Sequence, residues 1–110
     1  MISKELLGVV LSNYGITDVY PSYDESDVMT AVGYEIEEIV FEINIYELAN
    51  LCKEWAFRDE YSCMSRPRLF GGWICELMSG YGVEDIQFDE TTEPEAIFKA
   101  CQWVLDNKDK

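Results

Sequence analysis

The chain has 110 residues, enough for one ordinary domain and too few for two. It carries 22 acids against 8 bases, a net charge of −14, with no histidine, while 48% of its residues are hydrophobic and 14% aromatic. That apolar content argues against an acidic disordered tail. The charge argues against direct contact with nucleic acid or an anionic lipid surface, and points to a basic partner.

In chain order, the first predicted element is a helix from Lys4 to about Asn13. Ser3 supplies an N-cap hydroxyl, and Gly15 suits the left-handed position that closes a helix. Leu6, Leu7, Val10, Leu11 and Tyr14 fall on one face. The segment "TDVYPSY" (17–23) reads as an edge strand, because Pro21 cannot donate to a ladder. "YDESD" reads as a turn. Val28, Thr30, Val32, Tyr34 and Ile36 then alternate along one face, but Ile39, Phe41 and Ile43 continue the pattern on odd positions. A change of phase moves side chains to the opposite sheet face, so a turn or bulge is expected near Glu37–Glu38. The prediction is a hairpin of strands 28–35 and 38–43 whose turn lacks the usual Asn-Gly chemistry.

Asn44 and Glu47 form a capping box at the start of the next helix, and Ile45, Leu48, Ala49, Cys52, Trp55 and Ala56 make its apolar stripe. "YSCMSR" and "GWICELM" read as strands around a turn at "PRLFGG"; Gly80 and Gly82 bracket another turn, and "EDIQFD" is a short strand. The closing helix has Thr92 as its cap, Pro94 in its first turn and Glu95 to complete a capping box. Its expected inner face is Ile97, Cys101, Val104 and Leu105, flanked by Phe98 and Trp103. The order α-β-β-β-α-β-β-β-α implies a single α+β domain: an antiparallel sheet of about five to six strands with helices packed on one face. The start of the chain, with an apolar run broken by Gly8, does not read as a signal peptide, and no stretch approaches the roughly 20 apolar residues of a membrane span. A cytoplasmic protein is expected.

Few catalytic patterns survive inspection. Without histidine, Ser-His-Asp and Cys-His arrangements are absent. Paired carboxylates suffice for a glycosidase, but 22 acids guarantee chance pairs. A calcium loop starting at Asp24 would place Val28 and Met29 where a ligand and a glycine are required. Loose divalent binding at Asp24, Glu25 and Asp27 is weaker than their reading as a solvated turn. Cys52, Cys63, Cys75 and Cys101 show no C-x-x-C spacing and read as buried free thiols. Gly71-Gly72 has no helix behind it and is no phosphate loop. Arg58, Arg66 and Arg68 could grip an anion or simply balance nearby acids. The expectation is a protein that is not an enzyme and uses no cofactor or metal.

What remains is the acid run. Ten acids and no base lie between Glu5 and Cys52. A run of charge is usually a solvated face, but a solubilising surface normally mixes signs. These acids also fall on predicted strands, at fixed spacing, where rigid carboxylates can imitate a row of phosphates. Tyr20, Tyr23 and Tyr34 lie among them and suit either a binding interface or an ordinary sheet.

The segments "TEPEAIFKACQWVLDNK" and "INIYELANLCKEWA" resemble short accessory proteins of bacteriophages and integrated mobile elements, in which a similar "EPEAIFKA" helix closes the domain. The matched residues are core and cap positions and include no catalytic group. The resemblance implies a phage accessory gene, a class that includes anti-CRISPR and anti-restriction proteins. The resulting expectation is an inhibitor, anti-CRISPR above all, that occupies a basic nucleic-acid groove or PAM-reading site on an effector such as Cas9. Its expected contacts are Asp18, Asp24, Glu25, Asp27, Glu35, Glu37, Glu38 and Glu42, with Tyr20, Tyr23 and Tyr34 as anchors. The alternative is a structural or adaptor protein of the phage particle, acidic for solubility.

Overall fold

The computed structural model describes residues 1–79 and 86–107. The elements run α1 (Lys4–Ser12), β1 (Val19–Tyr23), β2 (Met29–Ile36), β3 (Ile39–Asn44), α2 (Ile45–Arg58), β4 (Tyr61–Pro67), β5 (Trp73–Ser79), β6 (Ile86–Glu90) and α3 (Glu93–Asn107). This is the α+β order read from the sequence. The six strands divide into two antiparallel three-stranded sheets, β1-β2-β3 and β4-β5-β6, rather than joining in one. The turn expected between Gly80 and Gly82 lies outside the described residues. Among the described residues, no helix is long and apolar enough to cross a membrane.

The helix ends follow their local chemistry. The Ser3 hydroxyl accepts from the Leu6 N–H at 3.0 Å. At the other end of α1, Gly15 takes φ +76°, and the N–H groups of Gly15 and Ile16 reach the carbonyls of Ser12 and Leu11, a Schellman closure. Asn44 Oδ1 accepts from the N–H of Tyr46 and Glu47, at 3.0 and 2.9 Å. Glu47 completes the box through the Asn44 side-chain amide, at 2.7 Å. At α3, the Thr92 carbonyl accepts from the Ala96 N–H, while the Glu95 carboxylate ion-pairs with the Met1 ammonium instead of reaching back to the cap.

One continuous core joins all three helices to both sheets. Leu6, Leu7, Val10 and Leu11 of α1 meet Leu48, Ala49, Cys52, Trp55 and Ala56 of α2 and Ala96, Ile97, Phe98, Ala100, Cys101 and Val104 of α3. The buried face of α3 is therefore wider than its expected stripe, taking in Phe98 fully, while Leu105 and Trp103 are only partly covered. The second sheet rests on α2 and α3 through Cys63, Cys75, Leu77 and Phe88, and turns Met64, Arg66, Glu76 and Met78 outward. That alternation is what a half-buried antiparallel sheet requires. The first sheet leans on α2 and gives the core only Met29, Ala31, Val32 and Ile43 as fully buried residues.

Candidate functional site

Apart from exposed Thr30, burial falls along β2. Met29, Ala31 and Val32 are buried, Gly33 and Tyr34 half-buried, and Glu35 and Ile36 exposed. On β3 the order runs in reverse, from exposed Ile39 to buried Ile43. All eight residues from Glu35 to Glu42, "EIEEIVFE", are exposed, so this end of the hairpin projects clear of the body. The strands pair Tyr34 with Phe41, Glu35 with Val40 and Ile36 with Ile39, leaving Glu37 and Glu38 as a two-residue turn. Their φ values are +50° and +69°. Positive φ at both central residues is the type I′ signature, matched to the twist of the strands and normally served by Asn-Gly.

The projecting end has two unlike faces. One continues the core face outward: Val32 and Ile43 are buried, Tyr34 stacks on Phe41 with ring centroids 5.3 Å apart, and Ile36 and Ile39 stand in solvent. The other carries Glu35, Val40 and Glu42, and beside them Tyr20, which pairs with Gly33 opposite Glu42. Asp18 immediately precedes β1 at the same end, since Val19 pairs with Tyr34. Glu35, Glu37, Glu38 and Glu42, with Asp18 and Tyr20, thus gather at one end of the sheet. Among the described residues, none of these acids takes part in an ion pair; the pairs bind Glu76, Asp89, Glu90 and Glu95.

The remaining candidates lie elsewhere. Asp24, Glu25 and Asp27 form the β1–β2 turn at the opposite end of β2, an eight-residue strand about 23 Å long at about 3.3 Å per residue. Asp24 is built into that turn: its Oδ1 accepts from the N–H of Ser26 and Val28, at 2.8 and 3.1 Å. Tyr23 belongs to this end too, paired with Met29 after a bulge. Tyr34 serves as a half-buried stacking partner, whereas Tyr20 and Tyr23 are 56% and 52% exposed. Among the described residues, no three Asp, Glu or Cys side chains are placed to hold a metal ion.

The arginines do not converge on one anion. Arg66 pairs with Glu76, and Arg68 with Asp89 at 3.3 Å. Arg58 lies over the Tyr14 ring at 5.5 Å, and the Tyr14 hydroxyl donates to Glu54 at 2.7 Å. Burial, then the hydrogen bond to Glu54, raises the Tyr14 pKa. The four cysteines are free thiols, and Cys63 and Cys101 lie 4.0 Å apart at sulfur. The hydrogen bond to Cys101, together with burial, pushes Cys63 up to about 12, and Cys75 and Cys101 are raised as well. A thiol held protonated is a poor nucleophile, so these groups act as core.

Sequence reasoning passed over two features. Ile36, Ile39 and Phe41 are exposed although their alternation reads as core, and Val40, out of phase with them, is exposed on the other face; the available signal was that this apolar pattern runs to the very edge of the turn. Leu69 and Phe70, at the β4–β5 turn, are 89% and 96% exposed. Two large apolar residues where polar ones are usual was the signal there. Comparison of the chain with protein-family models, with curated proteins and with solved structures gives no match.

Proposed function

We propose that this protein is a non-enzymatic inhibitor that lays its projecting acidic hairpin into the basic nucleic-acid groove of a partner protein. The observation that supports this reading is the exposed run Glu35–Glu42, with four carboxylates on a hairpin of paired strands and no base in it. In a groove built for phosphates, Lys and Arg would find fixed carboxylates without a loop having to order first, which keeps the entropy cost of binding low. In its particular form, suggested by the likeness of the closing helix to phage accessory proteins, the partner is a host defence nuclease. A CRISPR effector of the Cas9 type, blocked at its nucleic-acid or PAM-binding groove in the bacterial cytoplasm, is the leading case.

The test is a pull-down from bacterial lysate with the full chain as bait, washed with rising salt and then with competing DNA or RNA. A basic nucleic-acid-processing protein released by either wash supports the reading. Recovery of bait alone, or of a neutral partner that survives high salt, overturns it. The second reading, a structural or adaptor protein, draws on the exposed Leu69–Phe70 tip, which is apolar and remote in sequence from the acid run.

A further inference from the structure

The apolar side of the same hairpin plays no part in phosphate imitation, which needs only charge at fixed spacing. Ile36, Ile39 and Phe41 are 53%, 59% and 40% exposed, and Phe41 stacks on Tyr34. Exposed β-branched residues on a free hairpin invite aggregation. A partner that covers them removes that liability.

We propose that the stripe Tyr34–Phe41 and Ile36–Ile39 docks a cationic amphipathic helix of the partner, a deepening that rests on the function proposed above. The two cross-strand pairs lie two residues apart along the strands, about 7 Å. That is close to the roughly 6 Å between side chains at i and i+4 on a helix, so successive apolar residues of one helix face would cover both pairs. The charge around the stripe selects the rest of the partner. Every charged residue from Glu35 to Glu42 is a carboxylate, and no base occurs between Glu5 and Cys52. A second copy of the hairpin would bring like charge against like charge, and an anionic lipid surface would be repelled. Lys and Arg flanking the apolar face of a helix would meet Glu37 and Glu38 at the turn that ends the stripe, while Glu35 and Glu42, on the opposite face, add only to the long-range field.

The experiment titrates the isotopically labelled full chain with two synthetic peptides of equal length and charge: Leu and Lys at helical period, and the same peptide with Ser for Leu. Backbone amide shifts are followed at low and high salt. The Leu/Lys peptide is expected to bind at least about tenfold more tightly. Its shifts should centre on residues 34–41 and persist in part at high salt. The double variant I36S/I39S, altered only at exposed positions, should keep the dispersed spectrum and fall to the Ser/Lys affinity. Equal binding of the two peptides overturns the helix proposal and leaves the acidic reading standing. Binding of Leu/Lys that is unchanged by Glu→Gln at 35, 37, 38 and 42 leaves the stripe standing and removes the acids. No binding of either peptide, shifts centred on Leu69–Phe70, or self-association through residues 36 and 39 in sedimentation also overturns the proposal.

Discussion

Ile36 and Ile39 pair directly across the Glu37–Glu38 turn and stand more than half exposed, on the hairpin face where Val32 and Ile43, two pairs nearer the body, are buried. The stripe that anchors the first sheet thus runs past the edge of the core, and the turn at its end is built from residues poorly suited to it. Held at positive φ, Glu37 and Glu38 each cost about 1 kcal/mol or more relative to residues at home there.

The double variant E37N/E38G should therefore stabilise the protein by about 1–2 kcal/mol, which for a domain of this size raises Tm by roughly 4–8 °C per kcal/mol. A thermal melt followed by circular dichroism measures this. The same variant removes two of the four carboxylates at the hairpin end and should weaken binding to a cationic partner. Stability gained with binding lost is the pattern expected where a strained turn serves an interface. A lowered Tm would show that the two glutamates support the turn.

Stability should be insensitive to the β4–β5 tip and sensitive to the helix core. Leu48 is fully buried, so Leu48→Ala should cost about 2–5 kcal/mol through lost burial and the cavity left behind. Phe70→Ser, at a side chain 96% exposed, should change stability by about 0.5 kcal/mol or less. Urea unfolding of both variants compares them directly. A large loss from Phe70→Ser would mean that the tip packs against the body.

Elements whose boundaries are written in side-chain chemistry were legible in the sequence. Ser3 with Gly15, and Asn44 with Glu47, mark helix ends because their polar atoms or backbone freedom satisfy groups at those ends. The phase break between Ile36 and Ile39 located an irregularity at Glu37–Glu38, since only a turn or a bulge changes the parity of a strand, and the structure makes it the hairpin turn. The division into two sheets was not legible, because it depends on which strand edges meet and no residue pattern records that. Nor was the parting of Asp24, Glu25 and Asp27 from Glu35–Glu42. Charge counted along the chain ignores that β2 carries the two groups to opposite ends. At Thr92–Glu95 half of the expected capping box formed, the Glu95 N–H donating to Thr92 Oγ1 at 3.4 Å, while the Glu95 carboxylate turned to the Met1 ammonium, a charged partner within reach.

The thiol cluster gives a pH dependence with a definite sign. Cys63 titrates near 12 in the folded chain, against an ordinary value near 9, chiefly because of its hydrogen bond to Cys101. The folded state holds this proton more tightly than the unfolded state does. The stability it contributes is complete below about pH 9 and is lost as pH rises toward 12. Compared with wild type, Cys63→Ser should show a shallower fall in urea midpoint across that interval. At pH 8 Cys63 is held as the thiol, so alkylation in the native state should be slow and should quicken on unfolding. Rapid alkylation of the native protein at pH 8 would contradict the hydrogen-bonded arrangement.

The two acidic ends should separate in a binding assay. Reversal of Glu35, Glu37, Glu38 and Glu42 to Lys places repulsion at an exposed hairpin that forms no ion pair among the described residues, so the fold should survive and binding to a basic groove should be abolished. Reversal of Glu25 and Asp27, about 23 Å away, alters the long-range field without touching the contact. It should slow association by about tenfold at most, vanish as an effect at high salt, and leave dissociation unchanged. Asp24 is left intact in this comparison because its carboxylate holds the turn through Ser26 and Val28. Surface-binding kinetics against the partner recovered by pull-down, at two salt concentrations, resolve the two rates. If both sets raise the dissociation rate alike, the contact spans the length of the sheet and is not confined to the hairpin end. If neither does, the carboxylates are a solvated face, and the exposed apolar residues are left to carry recognition.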